Sequence, residues 1–300
     1  MKRKYIGMLI MALAASMLAS ATILMKIIPQ ETRLPPEHVA IWRFTIAAPL
    51  LWLITLLRKT PRLKIIDRPL SLMGLGAVYA VASFSALFAL DRLPSSLYVI
   101  IVFIYPSVVV LISLVMGKAV PKLYWLGLPL TFVGLFLVVY KFGSSLSIDL
   151  IGFLISIVNA LAIVIYMMLS EKLLENRQDK LLSTNWVMAG AMAAGLLMIP
   201  FFGLTTPDSA IGWILLISLG VFGTMLPIVA INYALQLMGA ARGSVIMTLQ
   251  PVLAVLISTI FLGEVLTLQQ WVGGVLVIAA IVMLQLSGDR SKKSISSNSI

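Results

Sequence analysis

The chain has 300 residues, 61% hydrophobic and only 11% charged, with a mean hydropathy of +1.08 and a formal net charge of +11. A water-soluble domain is nearer half apolar and a quarter charged, so no aqueous packing scheme hides this much apolar surface, whereas a lipid bilayer does. The basic balance does not point to nucleic acid, because the cations sit between apolar runs and form no basic face with interleaved aromatics.

A helix needs about 20 apolar residues to cross the hydrocarbon. Such runs are predicted near 6–28, 39–57, 71–90, 95–116, 123–141, 149–170, 184–202, 210–235, 241–262 and 269–286. The first follows Met1-Lys2-Arg3-Lys4 and contains Ala19-Ser20-Ala21, which together imitate a secretory signal and its cleavage site. The run is too long for such a segment and further spans follow, so it reads as an uncleaved helix. The one histidine, His38, falls in the short polar segment before the second span. The longest connections, 58–70 and 171–183, are also the most charged, and the chain ends in a polar, serine-rich stretch. The fold class expected is all-α integral membrane with ten spans.

Lysine and arginine orient it. Most of the 22 fall in the N-terminal segment, the connections after alternate spans and the C-terminal segment, while the other connections hold only Arg33, Arg92 and Lys141. The positive-inside rule then places both termini in the cytoplasm of a multi-pass protein of the cell membrane.

An internal repeat is visible. Ala89-Leu90, Pro106 and Leu111-Ile112-Ser113 match Ala234-Leu235, Pro251 and Leu256-Ile257-Ser258 at one constant offset. One residue later in register, Gly117, Trp125 and Gly127 match Gly263, Trp271 and Gly273. Residues 1–145 and 146–290 are therefore expected as two five-helix repeats, with 291–300 as a disordered cytoplasmic tail. An odd helix count per repeat forces the second copy to enter from the opposite side. The loop charges agree, since Arg58 to Arg68 is heavily basic and its counterpart 203–209 carries no basic residue. Inverted repeats are a common architecture of secondary transporters, with the substrate near the midplane between the halves.

Trp42-Arg43-Phe44, Pro106 and Pro251 within helices, Phe261-Leu262-Gly263-Glu264 and Gln270-Trp271-Val272-Gly273 occur in that order over nearly the whole chain. On these residues the chain resembles the drug/metabolite transporter superfamily, specifically its EamA-type ten-helix members. The resemblance implies a metabolite or amino-acid exporter fold and names no cargo. The first half departs from the family pattern, with Met116-Gly117-Lys118 where a glycine-glutamate ending is typical.

Ionisable groups are costly in lipid and tend to face a cavity or a partner. Arg43, four residues into its expected span, reads either as an anchor for an anionic group, which a guanidinium holds bidentately, or as a snorkelling residue. Lys26 reads as snorkelling. No acidic residue falls in the middle third of a span, and only Glu171 and Glu264 approach one from span ends. That favours facilitated diffusion or exchange over proton antiport. Polar and aromatic groups that do reach mid-span are Tyr79, Tyr98, Tyr105, Asn159, Tyr166, Asn232, Tyr233 and Gln250. They either cross-link helices or orient a polar substrate. Pro106 and Pro251 occupy matched mid-helix positions and each leaves a carbonyl without its usual partner. Tyr105 and Gln250 stand one residue before each, which makes this pair the expected centre of a substrate site, unless the kinks are static. Gly74 and Gly76, Gly190 and Gly195, and Gly273 and Gly274 permit close helix approach.

The function expected is secondary transport of a small metabolite, an amino acid or amphipathic compound, by alternating access and in the export direction. A channel is the alternative, and a membrane-embedded enzyme a more distant one. There is no HExxH, no intramembrane aspartate pair and no deep base to serve a serine, so no catalytic residue, metal or cofactor is assigned. The expected partners are the small-molecule substrate and the bilayer, without nucleic acid. The oligomeric state is left open.

Overall fold

The computed structural model describes residues 2–57, 68–93, 95–118, 123–140, 149–175, 179–262 and 267–297, with the backbone alone at 2–4, 26, 95–96, 258–259, 261–262 and 284–297. Among the described residues all regular structure is helical. Eight helices among these residues are long and apolar enough to cross a membrane, and two shorter apolar ones, Tyr124–Val139 and Leu268–Met283, bring the set to the ten expected.

The spans are α1 (Lys2–Thr32), α2 (Pro36–Leu57), α3 (Pro69–Arg92), α4 (Ser95–Val102 and Tyr105–Val115) and α5 (Tyr124–Val139). The second half supplies α6 (Leu150–Leu174), α7 (Lys180–Phe202), α8 (Ala210–Met238), α9 (Ala240–Met247 and Leu249–Leu262) and α10 (Leu268–Ser297). The α10 backbone is helical into the stretch expected to be a disordered tail.

The halves interlock rather than lie side by side. α3 packs on α6 and α7, and in the other half α8 packs on α1 and α2. α2 meets α7 and α5 meets α10, each its own repeat equivalent. This is the reciprocal pattern a two-fold relation between five-helix units produces. One apolar core holds residues from both halves, including Phe44, Leu75, Tyr105, Tyr166, Met188 and Ile228. The outside stays apolar, with Leu9, Leu70, Val115 and Leu268 all exposed, as a lipid-facing surface must be.

Local sequence sets the helix ends. Asp149, Asp179 and Ser209 cap α6, α7 and α8, accepting from the Gly152, Leu182 and Gly212 amides at 2.6, 3.0 and 3.0 Å. Thr267 and Gln270 form a reciprocal capping box at the start of α10. Gln269 ties that end to the α5 carbonyls of Leu137 and Tyr140.

Two crossings depend on glycine. A β-carbon at residue 76 would stand 1.8 Å from the Val187 carbonyl oxygen, and one at residue 190 would stand 2.0 Å from that of Met73. Backbone therefore meets backbone where α3 crosses α7. Gly134 and Gly273 do the same where α5 crosses α10. Gly74, grouped with Gly76 in the sequence, faces open space.

The structure moves one helix start. α2 begins at Pro36, whose fixed φ and missing N–H suit a first turn. His38 is therefore not in a loop but buried in that first turn, 5% exposed. Arg43 lies roughly 10 Å along the helix, about two turns rather than one.

Candidate functional site

Both prolines singled out in the sequence coincide with helix breaks. α4 is interrupted at 103–104, immediately before Tyr105-Pro106, and α9 at Thr248, immediately before Leu249-Gln250-Pro251. A proline has no N–H for the carbonyl four residues back, so the regular ladder stops one turn earlier.

A third proline, Pro227 in α8, has the larger consequence. Just before it Val221–Met225 winds as a π-turn. Pro227 has no N–H to offer Gly223, the carbonyl an α-helical bond from that position would reach. The Gly223 carbonyl accepts from Arg43 Nη2 at 3.4 Å, and the neighbouring Thr224 hydroxyl accepts from Arg43 Nε at 3.0 Å. The Thr224 hydroxyl in turn donates to the Leu219 carbonyl at 3.1 Å.

The rest of the guanidinium is held from α1 and α3. Nη1 donates to Ser83 Oγ at 3.2 Å and approaches Met25 Sδ at 4.0 Å, and Nη2 donates to the Tyr79 hydroxyl at 3.2 Å. Tyr79 and Ser83 are one helical turn apart and so share a face of α3. Arg43 is only 6% exposed and has no carboxylate partner among the described residues.

From Arg43 the polar groups continue as a file. The Tyr79 ring packs 5.4 Å from that of Tyr166 on α6. The Tyr166 and Ser170 hydroxyls donate to Asn232 Oδ1 at 2.7 and 2.8 Å, and Asn232 Nδ2 donates to Thr184 Oγ1 at 3.3 Å. Helices α2, α3, α6, α7 and α8 all contribute, so both halves build it. A second cluster lies on the adjoining face of α3. Asn159 Oδ1 accepts from the Tyr98 hydroxyl at 3.2 Å, while its Nδ2 donates to the Ala82 carbonyl and to Ser85 Oγ.

The structure does not bring every expected residue to this file. Asn232 points inward, and neighbours on a helix point about 100° apart. Tyr233 accordingly turns outward, 39% exposed, with Lys180 Nζ 4.3 Å over its ring. Tyr105 is buried with its ring 5.6 Å from that of Phe103, and its hydroxyl has no hydrogen-bond partner among the described residues. Gln250 is half-buried and makes no hydrogen bond there either. The matched pair thus stands beside the helix breaks without joining the network. Ser83, Ser170, Thr184 and Thr224 are the contributors that sequence reading passed over.

Each end of the bundle carries a tie between the halves. At one end the Thr205 N–H donates to His38 Nδ1 at 3.2 Å, so Nδ1 is the acceptor and Nε2 carries the proton. That Nε2–H donates to the Phe202 carbonyl at 2.9 Å, and Trp42 Nε1 donates to the Thr205 carbonyl at 2.8 Å. At the other end Lys118 Nζ lies 2.7 Å from Glu171 Oε1. Glu171 Oε2 accepts from the Ala240 amide at 3.2 Å, capping α9. Lys118, the departure from the family pattern, is thus neutralised by an acid of the other half. Glu264 and residues 58–67 lie outside the described residues, as does the Lys26 side chain. The groove of about 530 Å³ lined by Val275, Ile278, Ala279, Val282 and Met283 is wholly apolar on α10, away from all of these groups.

Among the described residues no cluster of three or more His, Asp or Glu could hold a metal.

The EamA-like transporter family matches residues 5–140 and, a second time, 150–286. An uncharacterized transporter of Archaeoglobus fulgidus is 25% identical over 71% of this chain and 75% of its own length. The uncharacterized inner membrane transporter YicL of Salmonella typhimurium is 23% identical over 96% of this chain and 98% of its own. A solved crystal structure shares the fold with a TM-score of 0.79 at 17% identity, covering 96% of this chain and 98% of that one.

Proposed function

The chain belongs to the EamA-like transporter family, and we propose that it is a secondary transporter exporting a small metabolite across the cytoplasmic membrane by alternating access. The observation that carries this reading is the polar file from Arg43 through Tyr79 and Tyr166 to Asn232 and Thr184, built by both halves of the bundle. Buried amides and hydroxyls in lipid are expensive unless paired. A file that spans two mobile units offers a polar substrate replacement partners along its route.

Both termini lie in the cytoplasm in this proposal. The Lys118–Glu171 tie then closes the cytoplasmic end and the His38–Thr205 tie the outer end. Rocking of the halves about the breaks in α4 and α9 releases one tie at a time. The substrate is bound between them by Arg43, Tyr79, Tyr166 and Asn232, with Tyr98, Tyr105, Asn159 and Gln250 along the walls.

The test is flux into proteoliposomes from a panel of labelled amino acids and organic cations, with and without a proton gradient. Saturable flux of one class, independent of the gradient, is expected. Non-saturating flux of many solutes would instead indicate a channel.

A further inference from the structure

Arg43 is surrounded on every described side by neutral groups: Thr224, Gly223, Ser83, Tyr79, Met25 and the ring of Phe44. Burying an ionised group without a counter-charge costs several kcal/mol, and such groups in membrane proteins mark sites where an opposite charge arrives. The other cation placed between the halves, Lys118, is by contrast closed by an acid, Glu171.

The ligands of the guanidinium also differ in what they have left to give. The Thr224 proton is committed to the Leu219 carbonyl. The Tyr79 and Ser83 oxygens accept from Arg43, but their own protons have no acceptor among the described residues. These two residues are half-buried, whereas Arg43 behind them is nearly inaccessible. The result is a cation with two O–H donors in front of it, facing the less buried side.

We propose that Arg43, Tyr79 and Ser83 form a receptor for one carboxylate, and that the cargo is a small molecule bearing a single such group. A carboxylate entering from the α3 side takes the two Nη donors as a fork and accepts from the Tyr79 and Ser83 hydroxyls, filling its lone pairs. Its unit charge cancels that of Arg43. A dianionic phosphate would leave net negative charge among neutral neighbours, so the stoichiometry favours a monoanion. Gly223 and Thr224 stay behind the guanidinium on Nε and Nη2, and the π-turn at Val221–Met225 fixes its plane. The inference rests on the transporter reading for the cargo's route, but the receptor is testable apart from transport.

The experiment uses the full chain purified in detergent and acid/amide pairs as probes: L-leucine and L-leucinamide, benzoate and benzamide, lactate and lactamide. At least one acid is expected to raise the melting temperature saturably while its amide does not. Arg43→Gln should weaken that acid's apparent affinity roughly tenfold or more, the range of a hydrogen bond to a charged group. Should Arg43→Gln not fold, the pair Tyr79→Phe and Ser83→Ala keeps the charge, removes both O–H donors and should weaken the acid several-fold. Equal stabilisation by acid and amide, unchanged affinity in these variants, or no stabilisation by any acid overturns the receptor. Counterflow in proteoliposomes separates the two readings. Saturable flux of amides without preference for acids would keep the transporter and sink the receptor. Acid binding through Arg43 without any saturable flux would keep the receptor and sink the transporter.

Discussion

Asn232 satisfies three hydroxyls with one amide, joining α6, α7 and α8 at a single side chain. Leucine has the same branched skeleton of heavy atoms, is bulkier, and has none of its polarity. Asn232→Leu would strand the Tyr166 and Ser170 hydroxyls in an apolar environment, at a net cost of about 1–2 kcal/mol for interhelical bonds of this kind. We expect a modestly lowered melting temperature in detergent and a loss of flux out of proportion to it. Wild-type flux in this variant would remove Asn232 from the transport route. Such residues stood out in the sequence because Asn, Arg and Tyr are rare guests in apolar runs. Ser83, Ser170, Thr184 and Thr224 did not, for a physical reason. Serines and threonines in membrane helices commonly bond their own backbone, as Thr45, Thr131 and Ser156 do here with carbonyls four residues back. Composition alone does not separate those from the ones that reach a neighbouring helix.

The helix breaks at Pro106 and Pro251 were legible because the repeat drew attention to matched prolines. The break at Pro227 was not, having no partner at the equivalent position of the first half, where Ala82 stands. Yet it frees the Gly223 carbonyl and sets the π-turn that holds Arg43. Pro227→Ala restores an N–H that competes for that carbonyl and lets the turn relax toward α-helical winding. This predicts a protein of equal or higher thermal stability with reduced flux, the pattern of strain released at a functional site. If stability falls and flux is unchanged, the π-turn is an ordinary packing feature. The Lys118–Glu171 tie gives a second test of the same order. The pair is partly exposed, with side-chain exposures of 41% and 20%, so it contributes roughly 1 kcal/mol or less. Lys118→Glu sets like charges across the two halves and should bias the bundle toward opening at that end. The readout is faster alkylation of a cysteine placed at Ala240. Unchanged alkylation would mean that the tie does not hold that end closed.

The whole molecule was the most legible level, since ten apolar runs and their charge pattern survive small errors in helix ends. What the sequence could not display is the interlocking, in which α3 reaches across to α6 and α7 while α8 reaches back to α1 and α2. Backbone-to-backbone crossings at Gly76 and Gly190 make that possible, and pairing of glycines across distant helices leaves no local signal. Inversion of the halves has a direct test, because the chain contains no cysteine and every introduced thiol is the sole one. Gln30 near the end of α1 and Glu175 just after α6 are both exposed and occupy corresponding places in the two repeats. If the second half is inverted, they lie on opposite sides of the membrane. Gln30→Cys should react with an impermeant maleimide on intact cells, and Glu175→Cys only after permeabilisation. Labelling of both from the same side would mean a parallel duplication, in which the two ties no longer sit at opposite ends of one route. Opposite labelling with the senses exchanged would keep the inverted architecture and reverse the orientation, moving the Lys118–Glu171 tie to the outer face.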